Sequence, residues 1–327
     1  MLLAAADPQA VRAAAEALAA GELLAFPTET VYGLGARADD DAAVQRIYSA
    51  KGRPAAHPLI VHAADAEQAR RFAASWPAAA QALAQAFWPG PLTLILPRAP
   101  ALAQAAAGGQ ATIGLRVPSH ALAQALLQEV HRLGVPGVAA PSANRFGRVS
   151  ATTAAHVLQE FGDALKVLDG GECPGGIESA IVDCSGAMPA LLRPGLLSRA
   201  RIEAVLGARL RDRDEASPRA SGGLRSHYAP VARLRLMSTQ QMRDALELLG
   251  PQASKLRLAV YSRSQLRAGR GVEQRRMPDD PAAAAHQLFA ALRGFDAAGV
   301  QLIWVEQPPE SADWEGVRDR LTRAAAD

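Results

Sequence analysis

The chain has 327 residues, an apolar fraction of 49% and a formal charge of +3. That length favours two domains, the apolar content supports real cores, and the charge is too small to announce a nucleic-acid binder. No stretch reaches 18 uninterrupted apolar residues, which excludes a membrane-spanning helix. The only cysteines, Cys173 and Cys184, lack zinc or redox spacing and read as free structural thiols in a reducing compartment. The opening apolar run is cut by Asp7-Pro8 and is too short for a signal segment, so a cytoplasmic location is expected.

In chain order, residues 8–20 read as an Ala-rich amphipathic helix stopped at Gly21, and Glu22–Phe26 as a strand. Asp39-Asp40-Asp41 caps a helix over 41–50, with acids at its positive end. Leu59–Val61, Leu92–Leu96, Thr112–Val117, Val138–Ala140, Val167-Leu168, Ala180–Asp183 and Ala190–Leu192 predict strands. Ala64–Phe72, Ala78–Phe87, a segment after Ser119 and another capped by Thr152 or Thr153 predict helices. The alternation makes the class α/β, but strands cluster after 165, so a twisted mixed sheet with flanking helices is expected over 1–206. Residues 207–230 are charged and glycine-rich without apolar periodicity and read as a linker. Over 231–327, strands at Leu234–Met237, Leu256–Tyr261 and Leu302–Val305 alternate with helices at Thr239–Leu249, Pro281–Phe295 and Trp314–Ala325. Three βα units of this kind predict a small Rossmann-like α/β domain.

Four short motifs carry chemistry, beginning at Phe26, Lys51, Pro141 and Leu192, the last reading Leu192-Arg193-Pro194-Gly195. Phe26-Pro27-Thr28-Glu29-Thr30-Val31-Tyr32-Gly33 runs into Gly33-Leu34-Gly35-Ala36-Arg37-Ala38, a loose dinucleotide fingerprint. Pro27–Thr30 separates the strand from the glycines, which argues against that reading. The glycine-rich stretch 170–176 lacks the Lys-Ser/Thr of a phosphate loop and reads as a structural turn. Lys51-Gly52-Arg53-Pro54 sits just past a helix end. Two cations there suit the helix dipole, and equally a polyphosphate. Lys stands only at Lys51, Lys166 and Lys255 in an Arg-rich chain, which suggests that an ammonium is needed at Lys51. Pro141-Ser142-Ala143-Asn144 follows a strand, where α/β ligand sites form, although Ser142 and Asn144 also suit a plain turn. Ser150 precedes a helix and can add a phosphate contact. Arg116, closing an apolar strand, suits a carboxylate or phosphate, and an ion pair with a helix acid otherwise. His62 reads first as a satisfied strand-end histidine. No hydrolase triad or metal cage is legible, so no metal ligand is assigned.

Taken in order, these motifs resemble the threonylcarbamoyl-AMP synthase family of the YrdC/Sua type over residues 10–200. The carriers are the motif from Phe26, Lys51-Gly52-Arg53-Pro54 with His57-Pro58-Leu59-Ile60-Val61-His62, Trp88-Pro89-Gly90-Pro91-Leu92-Thr93, Gly114–Pro118, Ala140–Asn144, Ser179 with Ile181-Val182-Asp183, and Arg193-Pro194-Gly195. The linker and C-terminal domain are similar to the long, two-domain form. The resemblance implies a nucleotidyltransferase that converts L-threonine, bicarbonate and ATP into threonylcarbamoyl-AMP, pyrophosphate and water, for modification of the adenosine next to the anticodon of tRNA. It implies threonine contacts from Thr30, His62, Arg116, Ser179 and the main chain of Ala140. Around the nucleotide it implies Lys51, Arg53, His57, Thr112, Ser142, Asn144, Ser150 and Arg193, with Lys51 and Arg53 as the catalytic cations. Mg²⁺ would accompany ATP. The implied partners are the downstream threonylcarbamoyl-transfer machinery and, weakly, tRNA. The linker residues His227 and Tyr228 are expected to help cover the site.

The chain departs from the family pattern at His57, where Asn is common, at Ala180, where Thr is usual, and in the wording of the linker before His227-Tyr228-Ala229-Pro230. Two competing readings use the same fold. A hydrogenase-maturation carbamoyl-transfer domain would bring zinc-finger cysteines, which this chain lacks. An RNA-binding or ribosome-assembly module would show a basic face and no nucleotide turnover.

Overall fold

The structure is a computed structural model that describes residues 1–4, 7 and 9–326. Ala5, Ala6, Pro8 (the expected start of the first helix) and Asp327 lie outside the described residues. The chain forms two compact units, Met1–Phe146 with Ser150–Gly223, and Gly147–Val149 with Leu224–Asp327.

The first unit is built on β1 (Leu2–Ala4), β2 (Leu24–Phe26), β3 (Gly33–Arg37), β4 (Ile60–His62), β5 (Leu92–Pro97), β6 (Thr112–Arg116), β7 (Val138–Ala139), β8 (Lys166–Asp169), β9 (Ala180–Asp183), β10 (Ala190–Arg193) and β11 (Arg211–Asp212). They join in one mixed sheet, ordered β1-β8-β2-β3-β7-β4-β6-β5-β9-β10-β11. Its helices are α1 (Ala10–Ala19), α2 (Asp41–Lys51), α3 (Ala66–Arg70), α4 (Ala78–Phe87), α5 (Ala121–Arg132), α6 (Ala154–Phe161) and α7 (Arg199–Leu206). The side chains of α1 and α5 form one apolar core with Leu24, Phe26 and Val138. Val44 and Ile47 of α2, Leu83 of α4 and Ile202 of α7 share another with Leu94, Leu115 and Val182.

Strand periodicity explains why a site can form here. Along β4, β5, β6 and β9, successive residues alternate between faces. Val61, Leu94, Leu115 and Val182 enter the helix-covered core. Ile60, Ile95 and Ile181 lie in a second cluster with Leu192 and Ala220, and His62, Thr93 and Arg116 share their face by spacing. Ala220 belongs to the expected linker. Residues 207–223 of that stretch are part of the first unit, and Arg211–Asp212 pairs with β10. Residues 224–230 belong to the second unit.

The second unit is a four-stranded, all-parallel sheet of β12 (Arg233–Met237), β13 (Leu258–Ser262), β14 (Glu273–Arg276) and β15 (Leu302–Glu306), ordered β12-β15-β13-β14. It carries α8 (Thr239–Leu249), α9 (Pro281–Ala297) and α10 (Glu315–Ala324). A capping box at Ser238 and Gln241 starts α8, and Asp280 caps α9. Met242 and Leu246 of α8 form a core with Val260 and Trp304 of the sheet. Among the described residues, no helix is long and apolar enough to cross a membrane.

Glu306 ends β15 and is buried. Burial alone would raise its pKa, but hydrogen bonds from Thr239, the Ser264 main chain and the hydroxyls of Ser262 and Ser264 outweigh it and bring the carboxyl to about 2. A depressed folded pKa stabilises fully above the unfolded value and is lost as pH falls through the folded one. Urea unfolding of the whole chain between pH 5 and 2.5 is therefore expected to show weakening towards acid that Glu306→Gln flattens. Identical pH slopes for the two proteins would remove Glu306 from the acid response.

Candidate active site

The sheet register assembles the site. His62 lies opposite Arg116 across β4 and β6. Thr93 follows one step beyond the Leu94–Leu115 pair and pairs with Ile181 on β9, which in turn pairs with Arg193 on β10. Five adjacent strands thus deliver His62, Arg116, Thr93, the start of β9 and Arg193 in one row.

At one end of the row, Arg116 Nη2 donates to Thr30 Oγ1 at 2.9 Å and lies 2.7 Å from Glu29 Oε1. Thr28 fixes this loop by accepting from the Thr30 and Val31 amides and donating to Val31 O. The glycine-rich stretch 170–176, a turn by sequence, buttresses the same loop. Gly175 and Gly176 donate to the carbonyls of Glu29 and Thr30 at 2.9 and 3.1 Å. A Cβ at Gly175 would lie 2.6 Å from Glu29 O, so only glycine fits. Burial, and then the charge of Arg116, push His62 down to about 3, which keeps it neutral at physiological pH. Its Nδ1 lies 3.2 Å from Ile60 O, so that nitrogen carries the proton. Ala140 donates its amide to Ile60 O at 2.9 Å.

Ser179 joins the two halves of the site. Its hydroxyl lies 2.8 Å from Thr93 Oγ1 and accepts from Arg193 Nη2 at 3.2 Å. Arg193 also donates to Ser179 O and to Ser221 O, each at 3.1 Å. Ser221 Oγ donates to Pro58 O at 2.8 Å and accepts from Arg53 Nη2 at 3.3 Å. Arg53 donates further to the carbonyls of His57 and Pro58. Its guanidinium lies 5.6 Å from the Phe146 ring, which also packs edge-on against His57 at 5.4 Å.

Lys51 is the last residue of α2 itself, not of the turn beyond it, and Gly52 provides the left-handed exit at φ 63°. The Lys51 ammonium donates to Ser142 O at 2.6 Å and to Asn144 O. Burial, then the neighbouring Arg53 charge, hold its pKa well below the usual lysine value. Ser142 bridges to Gly33, and Asn144 is buried. Ser150 donates to the Glu178 carboxylate. Lys51, Arg53, Arg116 and Arg193 are 3%, 7%, 4% and 3% exposed. Thr112 begins β6, whose far end, four residues away, carries Arg116.

His227 and Tyr228 lie in the second unit. The His227 amide donates to Arg323 O at 3.2 Å, and Tyr228 stacks on Phe289 at 5.6 Å with the Arg320 guanidinium over its ring. The sequence reading missed Glu29, Thr93, Glu178 and Ser221. Glu29 had a signal, being the only charge between Phe26 and Ala36. Cys173 and Cys184 are buried free thiols that burial pushes up to about 12, so neither is a nucleophile.

Residues 16–195 match the Sua5/YciO/YrdC sequence family, described as "Telomere recombination", and residues 197–326 match "Threonylcarbamoyl-AMP synthase, C-terminal domain". The threonylcarbamoyl-AMP synthase of Bacillus subtilis is 39% identical over 98% of this chain and 93% of its own. That of Pyrococcus abyssi is 38% identical over 96% and 94%. The crystal structure of P. abyssi Sua5 complexed with L-threonine superposes with a TM-score of 0.90 at 36% identity, covering 99% of this chain and 97% of that one. Escherichia coli YciO, at 21% identity and a TM-score of 0.52, shares the fold of the first unit.

Gly195 packs its Cα against the start of β9: an added Cβ would lie 2.3 Å from Ala180 N and 2.5 Å from Ser179 C. Gly195→Ala is expected to lower stability by about 1–3 kcal/mol and to displace Ser179. Thermal unfolding checks the first effect, and a raised KM for substrate checks the second.

Proposed function

This chain belongs to the threonylcarbamoyl-AMP synthase family in its two-domain form, and from that premise we propose how its side chains carry the reaction. L-Threonine, bicarbonate and ATP give threonylcarbamoyl-AMP, pyrophosphate and water. The observation that carries the assignment is the row across five strands, which has His62 and Arg116 at one end and Arg193 at the other, with Thr93 and Ser179 between them and Ser179 bonded to both Thr93 and Arg193.

Arg116 takes the threonine carboxylate, and Thr30, His62, Ser179 and the Ala140 main chain hold the rest of the amino acid. Lys51, Arg53 and Arg193 surround the phosphates, with Ser142, Asn144 and Ser150 beside them and His57 and Thr112 towards the nucleoside. A carbamate oxygen on the threonine nitrogen attacks the α-phosphorus, and the bond to pyrophosphate breaks as negative charge gathers on it. Lys51 and Arg53 are preorganised to stabilise that charge. This makes the enzyme a nucleotidyltransferase. Among the described residues, no cluster of three or more His, Cys, Asp or Glu could cage a metal, and Glu178, bonded to Ser150, is the carboxylate beside the phosphate contacts. Mg²⁺ accompanying ATP would be held there by the phosphates, with Glu178 as the carboxylate able to help hold it. When bound, the ion supplies charge neutralisation on the leaving group.

The stretch through Ser221 covers the phosphate cations, since Ser221 bonds to both Arg53 and Arg193. His227 and Tyr228 secure its far end by packing within the second unit. The product passes to a tRNA threonylcarbamoyl-transfer machinery in the cytoplasm, with weak tRNA binding by this chain. Pyrophosphate release that requires threonine and bicarbonate together tests the function, and release without either would overturn it.

Lys51→Ala and Arg53→Ala are each expected to lose about 2–4 kcal/mol of transition-state stabilisation with the fold intact. Turnover measured beside circular dichroism decides this, and near-normal rates in both would sink the phosphate assignment. Valine should be used about 100-fold less efficiently than threonine, because a buried hydroxyl partner is left unpaired. Competition kinetics with the two amino acids measures the ratio, and equal efficiencies would contradict the subsite.

A further inference from the structure

We infer that Glu29 is a catalytic residue of the amino-acid subsite, receiving the α-ammonium of threonine and taking the proton that must leave before the nitrogen can be carboxylated. The inference rests on the assignment of Arg116 to the threonine carboxylate.

Three buried polar atoms carry it. Among the described residues, both carboxylate oxygens of Glu29 and the Nε of Arg116 have no hydrogen-bond partner. Glu29 Oε1 is within ion-pair distance of Arg116 Nη2, at 2.7 Å, yet no N–H of Arg116 is aligned to donate to it. The Glu29 side chain is 11% exposed, so water does not supply the missing donors. Leaving a buried carboxylate without donors is costly, and orphans that face one another across a candidate site, donor beside acceptors, point to a ligand contact.

The pattern of the orphans identifies the ligand class. One cationic donor and two anionic acceptors lie side by side, the complement of a zwitterion whose ammonium and carboxylate share one carbon. An α-amino acid fills all three. Its carboxylate completes Arg116, and its ammonium supplies donors to Glu29. The surroundings hold Glu29 for this task. Its own carbonyl accepts from Gly175, the next residue contacts Arg116 through Thr30 Oγ1, and the following turn is fixed by Thr28.

The reaction requires a base at this position. Threonine arrives as an ammonium, which has no lone pair to attack carbon. Glu29 accepts one proton, leaving the neutral amine and a carboxylic acid. The amine nitrogen then bonds to the bicarbonate carbon, and one water leaves, giving the carbamate that goes on to attack ATP. No oxidant or further reactant is needed, and Glu29 returns its proton to solvent as product departs. Arg116 keeps the carboxylate in place throughout, so the amine stays beside Glu29.

The test compares threonine with 2,3-dihydroxybutyrate, in which a hydroxyl replaces the amine. The wild-type protein is expected to bind threonine about 30-fold more tightly, the effect of one charge-assisted hydrogen bond. In Glu29→Gln that preference should fall below about 3-fold, with the hydroxy acid bound nearly as before. Forward pyrophosphate release should drop about 100-fold. Pyrophosphorolysis of threonylcarbamoyl-AMP starts from the completed carbamate and should stay within about 3-fold of wild type. Equal weakening of both ligands, or a parallel loss of forward and reverse rates, would assign Glu29 a structural role and overturn the inference. If Glu29→Gln does not fold, Glu29→Asp serves, keeping the preference for threonine while losing forward rate. Unchanged threonine affinity in Arg116→Ala would instead overturn the subsite assignment, and the inference with it, through a separate variant.

Discussion

Four buried cations set the conditions that the first unit has to meet. An ionised group taken out of water is destabilising unless it is bonded, and Lys51, Arg53, Arg116 and Arg193 are all nearly inaccessible. Three of them donate to main-chain carbonyls: Lys51 to those of Ser142 and Asn144, Arg53 to those of His57 and Pro58, and Arg193 to those of Ser179 and Ser221. A carbonyl orients a cation without neutralising it. These bonds hold the charges in fixed positions. The loops around the site are shaped by this need, because each must turn a carbonyl inward at a particular point.

The glycines follow from the same constraint. Gly175 lets a loop approach Glu29 O, and Gly195 lets the turn after β10 lie against β9. Both close approaches fix groups that would otherwise drift by an ångström, and positioning on that scale decides the rate of a reaction that depends on alignment.

Much of this was legible in the sequence because it is local. The helix capped by Asp40 ends at Lys51, and the Ser142–Asn144 turn follows a buried strand, as apolar periodicity indicates. The helix expected over 64–72 is shorter, covering Ala66–Arg70. What stayed hidden is either non-local or disguised. The hydrogen bond between Thr93 and Ser179 spans 86 residues and has no signature in spacing. Strand β3 begins Gly-Leu-Gly, a pattern that reads as a loop. It is a strand because it pairs with β2 and β7, and Gly35 lies close against the Phe26 and Val138 side chains. β14, Glu-Gln-Arg-Arg, is an edge strand whose charges conceal it. The stretch 207–230 looks like a uniform tether by composition, yet Ala220 packs with Ile60, Ile95, Ile181 and Leu192, and Tyr228 packs in the second unit at φ 61°, a left-handed conformation that only surrounding contacts sustain in a non-glycine residue.

The two thiols have a practical side. Cys173 and Cys184 are buried and far from forming thiolate at neutral pH, so alkylating reagents have no reactive sulfur to meet while the chain is folded. The native protein therefore behaves as a cysteine-free background. A single cysteine introduced at an exposed position such as Glu215 or Ala216 would carry a fluorophore or spin label without removal of either natural thiol, and the segment that leads to the phosphate cations could be followed directly in the working enzyme.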